Sequence, residues 1–193
     1  MACCGSRPPR PSPPPLASYI WSTRLIHDVT PDFSVRLLGR YGMRRYNEAF
    51  SERNTDFWTI GPQVEWSLAP KIKLGLNYHY ERGLAEGRNQ PQFEDDTSYI
   101  NHYLSADIEI ELTERLSLFT AVHFEHNIWT SGLTGDERNG GYENIYEGGL
   151  TLAYRLTDSI QGFGLTQRSS RKESFESNSI KNTNIGIGLS AKF

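Results

Sequence analysis

Alternation constrains this chain more than any other feature. In FWTIGPQVEWSL, residues Trp58, Ile60, Pro62, Val64, Trp66 and Leu68 fall on one side, and Thr59, Gly61, Gln63, Glu65 and Ser67 on the other. In KIKLGLNYHYE, Ile72, Leu74, Leu76, Tyr78 and Tyr80 oppose Lys71, Lys73, Gly75, Asn77, His79 and Glu81. YLSADIEIEL sets Leu104, Ala106, Ile108, Ile110 and Leu112 against Tyr103, Ser105, Asp107, Glu109 and Glu111. GGLTLAYRL sets Leu150, Leu152, Tyr154 and Leu156 against Gly149, Thr151, Ala153 and Arg155. A helix would scatter these residues round a cylinder, whereas a period of two gives a strand with one oily and one polar face.

Four further stretches are less regular, and the last one of the chain is strict. FSVRLLGRYGMRRY puts Phe33, Val35, Leu37, Tyr41 and Met43 opposite Arg36, Arg40 and Arg44, with Leu38 out of phase. RLSLFTAVHFEHNIW alternates through Leu116, Leu118, Val122, Phe124 and Ile128 but leaves Phe119 on the polar side. SIQGFGLTQRS keeps only Phe163 and Leu165, and SYIWSTRLIHD is ambiguous. The chain ends on NTNIGIGLSAKF, where Ile185, Ile187, Leu189, Ala191 and Phe193 oppose Asn184, Gly186, Gly188, Ser190 and Lys192.

The connections alternate as well. Short reversals at Pro31, Pro70, Glu114 and Asp158 carry the Pro, Asp and Thr that suit tight turns, and 39, 44 and 44 residues separate their centres. Between them lie longer polar segments: NEAFSERNTD, GLAEGRNQPQFEDDTS, TSGLTGDERNGGYEN and RKESFESNS. Each interval holds two strands and one loop, so residues 19–193 read as an all-β, antiparallel up-and-down barrel of about nine strands. Short turns stand at one end and long loops at the other, as in transmembrane barrels.

Alternation alone does not say which solvent meets the oily face, because a soluble lipocalin-like binding barrel alternates too, with that face inward. Hydrophobic content of 37% and the lack of a long apolar run exclude helical spans but not a barrel, in which only alternate residues face lipid. Strands of roughly a dozen residues exceed the usual five or six of soluble sheets. Trp66 lies by a tight turn, and Trp58, Tyr78, Tyr80 and Phe124 lie toward the loops, as interfacial girdles require. These features favour a transmembrane barrel.

A final strand that ends on Phe193, with Leu189 and Ile187 at alternate positions before it, resembles the C-terminal assembly signal of bacterial outer-membrane proteins. The stretch LAYRLTDSIQGFGLTQRSSRKESFESNSIKNTNIGIGLSAKF, with its LTD turn, its RKES loop and its Gly-rich last strand ending in Phe, is similar to the last three strands of β-barrel porin families found beside exopolysaccharide genes. It covers about a fifth of the chain. The resemblance implies a bacterial outer-membrane location. It also implies a passive pore, or the outer-membrane component of an export or surface-polysaccharide system. The expected partners are the lipid bilayer, the barrel assembly machinery, and small polar solutes or polysaccharide. The alternatives are a structural barrel without transport and a membrane-embedded lipid-modifying enzyme.

The polar faces carry the charge: Arg36, Arg40 and Arg44 on one strand, Glu65 on the next, Lys71 and Lys73 on a third, and Asp107, Glu109 and Glu111 on a fourth. As lumen residues they either pair within a hydrated wall or set basic and acidic columns against each other across a constriction. Acids and arginines lie three strands apart, so columns would face only in a small barrel. His79 with Glu81 and His123 with Glu125 share a face at i, i+2, half of an acid–base or metal arrangement. HExxH, CxxC and GxSxG are absent from the sequence, and the reading is of a non-enzymatic protein without cofactor or metal. The acidic FEDDTS loop could attract a divalent cation, though a solvated loop is its ordinary role. A net charge of −3 gives no reason to expect nucleic acid.

Residues 1–18, rich in Pro and holding both cysteines, Cys3 and Cys4, read as a disordered or non-native leader without the apolar core of a signal peptide. The ninth strand ends on the tight-turn side, so the first begins on the loop side. Single-chain bacterial barrels have an even strand number with both ends periplasmic. The expectation is an incomplete barrel, with at least one strand and a signal peptide preceding Tyr19 in the native protein.

Overall fold

The computed structural model describes residues 17–88, 90, 92, 96–136, 138–174 and 179–191. Phe193 of the expected assembly signal, the leader up to residue 16, and Phe93, Glu94 and Asp95 of the acidic loop lie outside them.

Nine strands form one sheet in chain order: β1 Ala17–Thr30, β2 Phe33–Arg45, β3 Thr55–Ala69, β4 Ile72–Ala85, β5 Tyr99–Glu111, β6 Leu116–Trp129, β7 Tyr142–Arg155, β8 Ile160–Glu173 and β9 Ile180–Ala191. Every neighbouring pair is antiparallel, so the architecture is up-and-down. Among the described residues β1 and β9 each pair on one side only, and the sheet is not closed.

The turns explain the register. Pro31 and Asp32 join β1 to β2, and Pro70 and Lys71 join β3 to β4, in each case two residues between strands. The two later turns repeat one device. The Thr113 hydroxyl oxygen accepts from the Arg115 and Leu116 amides at 3.2 and 3.0 Å, and that of Thr157 accepts from Ser159 and Ile160 at 3.2 and 3.0 Å. A threonine in this place satisfies the amides that a reversing backbone leaves free.

Burial follows the alternation, inverted from that of a soluble sheet. Along the first half of β3, Thr55, Phe57, Thr59 and Gly61 are buried, while Asp56, Trp58, Ile60 and Pro62 are exposed. Thr59 is 4% exposed against 47% for its neighbour Ile60. The register carries the same faces across the sheet: Gln63 lies against Asn77, Asn77 against Ser105 and Ser105 against His123, while Val64 lies against Leu76, Leu76 against Ala106 and Ala106 against Val122. A single sheet buries one face by curling over it, so the polar face is concave and the oily face convex. Leu38, out of phase in the sequence, is buried on the concave side.

The convex face carries aromatic bands toward both ends. On the long-loop side ring contacts run from Trp58 to Tyr80 (5.1 Å), Tyr80 to His102 (5.3 Å), His102 to His126 (6.4 Å) and His126 to Tyr142 (5.7 Å). On the tight-turn side Phe33 packs edge-on against Trp66 at 5.9 Å. Trp58 and Trp66 are eight residues apart on β3, about 27 Å along the strand and about 20 Å in height at barrel tilt.

One strand departs from the sequence pattern. Phe163 and Leu165, taken from the alternation as what remained of an oily face on β8, lie on the polar side, in register with Ala153 and Thr151 and with Gly188 and Gly186. The reason is local. The Phe163 ring covers Gly188, where a Cβ would come within 2.5 Å of it, so the ring fills space that the glycine leaves open.

The long loops are tied together into a cap. The β2–β3 connection contains a kinked 3₁₀ segment, Glu48–Arg53, and its Glu52 carbonyl accepts from the Gly87 amide at 2.9 Å. The Asn54 side chain bridges, donating to Glu86 Oε2 at 2.8 Å and accepting from the Tyr46 amide at 2.8 Å. Asp96, 1% exposed, accepts from the amides of Ser98 (2.9 Å) and Gly132 (2.6 Å), which clasps the β4–β5 loop to the β6–β7 loop. Both oxygens of this FEDDTS carboxylate are therefore used in holding loops.

Candidate functional site

The candidate site is the concave polar face, and its charges fall into three levels. Nearest the tight turns is a recess of about 540 Å³ whose lining includes Arg36, Glu65, Lys73, Asp107 and Glu109. It spans β2 to β5. Arg36 and Glu65 form a two-pronged ion pair, with Nη2 donating to Oε2 at 2.5 Å and Nη1 to Oε1. Lys73 approaches Glu109 at 4.0 Å with both side chains largely exposed, so this pair contributes at most about 1 kcal/mol. Asp107 leans across Gly75, where a Cβ would lie 2.5 Å from the carboxylate oxygen. The glycine makes room for the charge.

Lys71 and Glu111 stand at the rim beside the β4 start, where the Glu111 amide donates to the Lys71 carbonyl at 2.9 Å. Both residues are exposed.

The middle level is built of rings and amides. His79 stacks on Tyr103 at 5.8 Å, and Tyr103 meets His123 at 5.5 Å, so three rings from β4, β5 and β6 line up across the face. His123 Nε2 lies 3.7 Å from Glu147 on β7, and Gln167 on β8 donates to the same carboxylate. Glu125 accepts from Asn101 Nδ2 at 2.6 Å. The i, i+2 pairs anticipated from sequence are thus partnered across strands: Tyr103 takes His79, and Glu147 takes His123. Among the described residues no group of three His, Cys, Asp or Glu side chains is arranged to hold a metal ion. Arg40, half-buried, lies in register with Ser22 and Thr59 and forms no ion pair with a described residue.

The third level, under the loops, is a compact polar knot. Arg44 Nη1 donates to the Tyr99 hydroxyl at 2.9 Å, and its guanidinium lies 3.7 Å from Glu81 and 4.5 Å above the Phe57 ring. Tyr99 donates to Glu81 Oε1 at 2.6 Å, and Thr59 donates to Glu81 Oε2 at 2.6 Å. Glu81 therefore accepts from two hydroxyls beside a cation, which is how a charge tolerates partial burial.

Of the charges singled out in the sequence, Lys71 lies in the β3–β4 turn and the others share the concave side of the strands, with partners that the sequence did not reveal. Arg36 and Arg44 pair with Glu65 and Glu81, one and two strands away, while Lys73 pairs with Glu109 on the next strand. These three pairs run sideways across the strands of the sheet. Tyr99, Thr59 and Glu147 were not singled out, because only the register shows which polar residues converge. Chemically, the face offers fixed charges, amides and hydroxyls to water or a hydrated solute.

No family model and no curated protein matches this chain.

Proposed function

We propose that this chain forms part of the wall of a transmembrane β-barrel in the bacterial outer membrane, acting as a passive pore or as the outer-membrane component of an export or surface-polysaccharide system. The observation that carries the reading is the inverted burial: Trp58, Ile60, Leu76, Leu104, Val122, Leu150 and Leu152 stand exposed on the convex face while Thr55 and Thr59 are buried on the concave one. In water such a face is a large apolar surface without a cover, and in a bilayer it is the solvated face. Aromatic residues near both strand ends support the same orientation, at the spacing of an interfacial girdle.

The concave face supports a polar lumen. Arg36, Arg44 and Lys73 are matched along it by Glu65, Glu81 and Glu109, while Arg40 and Asp107 add charges outside these pairs, and such a mixed polar surface suits polar solutes or an uncharged sugar chain.

The test has two stages. The protein aggregates in water and folds in detergent or lipid vesicles, with heat-modifiable migration on a gel as the readout. Reconstitution in planar bilayers then gives reproducible single-channel steps. A soluble, monodisperse protein without detergent would overturn the membrane reading. Folded but electrically silent protein would instead assign it a structural role in the envelope.

A further inference from the structure

The convex face is apolar over most of its area, and its charges share a level and, but for one acid, a sign. By register, its charged residues are Arg45, Asp56, Arg82, Arg168, Lys172 and Lys181, all in the half nearer the long loops. Asp56, the one acid among them, is taken by Arg45 at 2.6 Å. Three of the cations stand together on β8 and β9. Arg168 lies opposite Thr183, Lys181 opposite Ser170, and Lys172 opposite Asn144. All three are exposed, and none forms an ion pair or hydrogen bond with a described residue.

Beside them the same face is grooved. A channel of about 540 Å³ runs over Gly148, walled by Leu104, Val122, Phe124 and Tyr146, with Arg168 and Ser170 at its rim. It exists because Gly148 sends no side chain outward between Val122 and Arg168, its partners in register. Glu147 borders the groove, but its carboxylate turns to Gln167 and His123 on the concave side. An apolar trough that opens onto free cations has the chemistry of a lipid: acyl chain below, anionic head above.

We propose that this groove and the Arg168–Lys172–Lys181 cluster bind a phosphorylated acyl glycolipid of the leaflet on the long-loop side. The site rests on the membrane reading given above. One acyl chain lies in the trough over Gly148, and the cations hold the phosphates. Arg168 and Lys172 are four residues apart on one strand, about 13 Å, with Lys181 beside the midpoint. That spread suits a head group bearing two phosphates rather than one. Charge complementarity selects the occupant, since no acid among the described residues on this face is free to repel it.

Native mass spectrometry of the detergent-folded full chain tests this with three probes: a bis-phosphorylated acyl glycolipid, the same glycolipid after dephosphorylation, and phosphatidylglycerol. Heat-modifiable migration is scored on every sample. The expected result is retention of the bis-phosphorylated lipid with at least tenfold preference over the other two. Arg168→Ala/Lys172→Ala/Lys181→Ala should lose that preference while remaining heat-modifiable. Gly148→Leu should weaken retention of the acyl chain without disturbing the fold, because a Cβ at Gly148 meets nothing closer than 3.6 Å. Equal retention of the dephosphorylated lipid, undiminished binding by the triple variant, or equal binding of phosphatidylglycerol would each overturn the proposal. Loss of heat-modifiable folding in the unaltered protein would overturn the membrane reading, and is told apart by that gel alone.

Discussion

Arg44 on β2 donates a hydrogen bond to the Tyr99 hydroxyl on β5, 2.9 Å away and three strands further round the sheet. The contact stands on the face toward which the sheet curls, and the Tyr99 hydroxyl in turn donates a hydrogen bond to Glu81 at 2.6 Å. The knot thus ties β2, β4 and β5 through side chains, in addition to the backbone ladder.

Tyr99→Phe removes one hydroxyl from this knot and should cost about 1 kcal/mol, the net worth of a hydrogen bond. Glu81→Ala should cost more, about 2 to 3 kcal/mol, because it strands Arg44, Thr59 and Tyr99 together. Urea unfolding in lipid vesicles, followed by tryptophan fluorescence, reads both. Equal effects would mean that Tyr99, rather than Glu81, is the centre of the knot.

A second prediction separates the two faces. Leu76→Arg or Leu104→Arg places a cation on the exposed oily side and should cost roughly 2 to 4 kcal/mol if near the bilayer midplane. Ser105→Arg, on the polar side between Asn77 and His123, should cost much less. Gly75→Arg is the poorer comparison, since its Cβ meets the Asp107 carboxylate at 2.5 Å. Similar losses for Leu104→Arg and Ser105→Arg would indicate a core on both faces.

How far the sequence revealed this structure depends on the strand. In β3, β4, β5 and β7 the alternation gives both the strand and its faces, because one side is consistently oily. In β8 it fails: the convex side is Gly162, Gly164, Thr166 and Arg168, and the largest apolar residue, Phe163, turns inward over Gly188. Histidine conceals another feature. His102 and His126 count as polar in the pattern, yet both continue the convex aromatic band from Tyr80 to Tyr142. The site was legible as a charged face and illegible as a set of pairs, since Arg44 and Tyr99 are 55 residues apart in the chain.

The clasp at Asp96 gives a third prediction. Its two oxygens serve two backbone amides, one on each of two loops, from a position 1% exposed to solvent. Asp96→Ala leaves the Ser98 and Gly132 amides without these acceptors and should release the β4–β5 and β6–β7 loops. Limited proteolysis should then cut both loops at least tenfold faster, with the strands still protected. Unchanged cleavage would show that the Thr130 amide to Ser98 carbonyl bond, at 2.9 Å, holds the loops by itself.

Asp136 in the β6–β7 loop gives a pH dependence. Burial pushes its carboxyl up, but hydrogen bonds from Arg138 and Ser131 and the Arg138 charge outweigh that and hold it below the ordinary aspartate value. A carboxylate depressed on folding stabilises its loop above the unfolded value, about pH 4, and the contribution is lost as pH falls through the lower folded value. Hydrogen exchange of the Arg138 amide, which donates to Asp136 at 3.0 Å, should accelerate relative to a strand amide only below about pH 4. Asp136→Asn should remove that acid-dependent step. An identical step in the variant would assign it to another group.

The last prediction concerns the open edges. In an up-and-down sheet alternate strands run the same way, so β1 and β9 are parallel to each other, and pairing them directly would set one parallel junction in an otherwise antiparallel wall. Left unpaired in hydrocarbon, each edge would expose a row of amides and carbonyls at several kcal/mol per group. On the membrane reading, strands other than these nine should therefore complete the wall. Antiparallel closure requires an odd number of them between β9 and β1, hence an even total, as bacterial barrels have. The check uses protein folded in vesicles with Cys3 and Cys4 replaced by serine, carrying Thr23→Cys on β1 and Ile187→Cys on β9. Oxidation should give no disulfide within one chain, whereas a control pair at Leu118 and Leu152, opposite one another on β6 and β7, should cross-link readily. Efficient intramolecular cross-linking of residues 23 and 187 would mean that the nine strands close on themselves through a parallel seam.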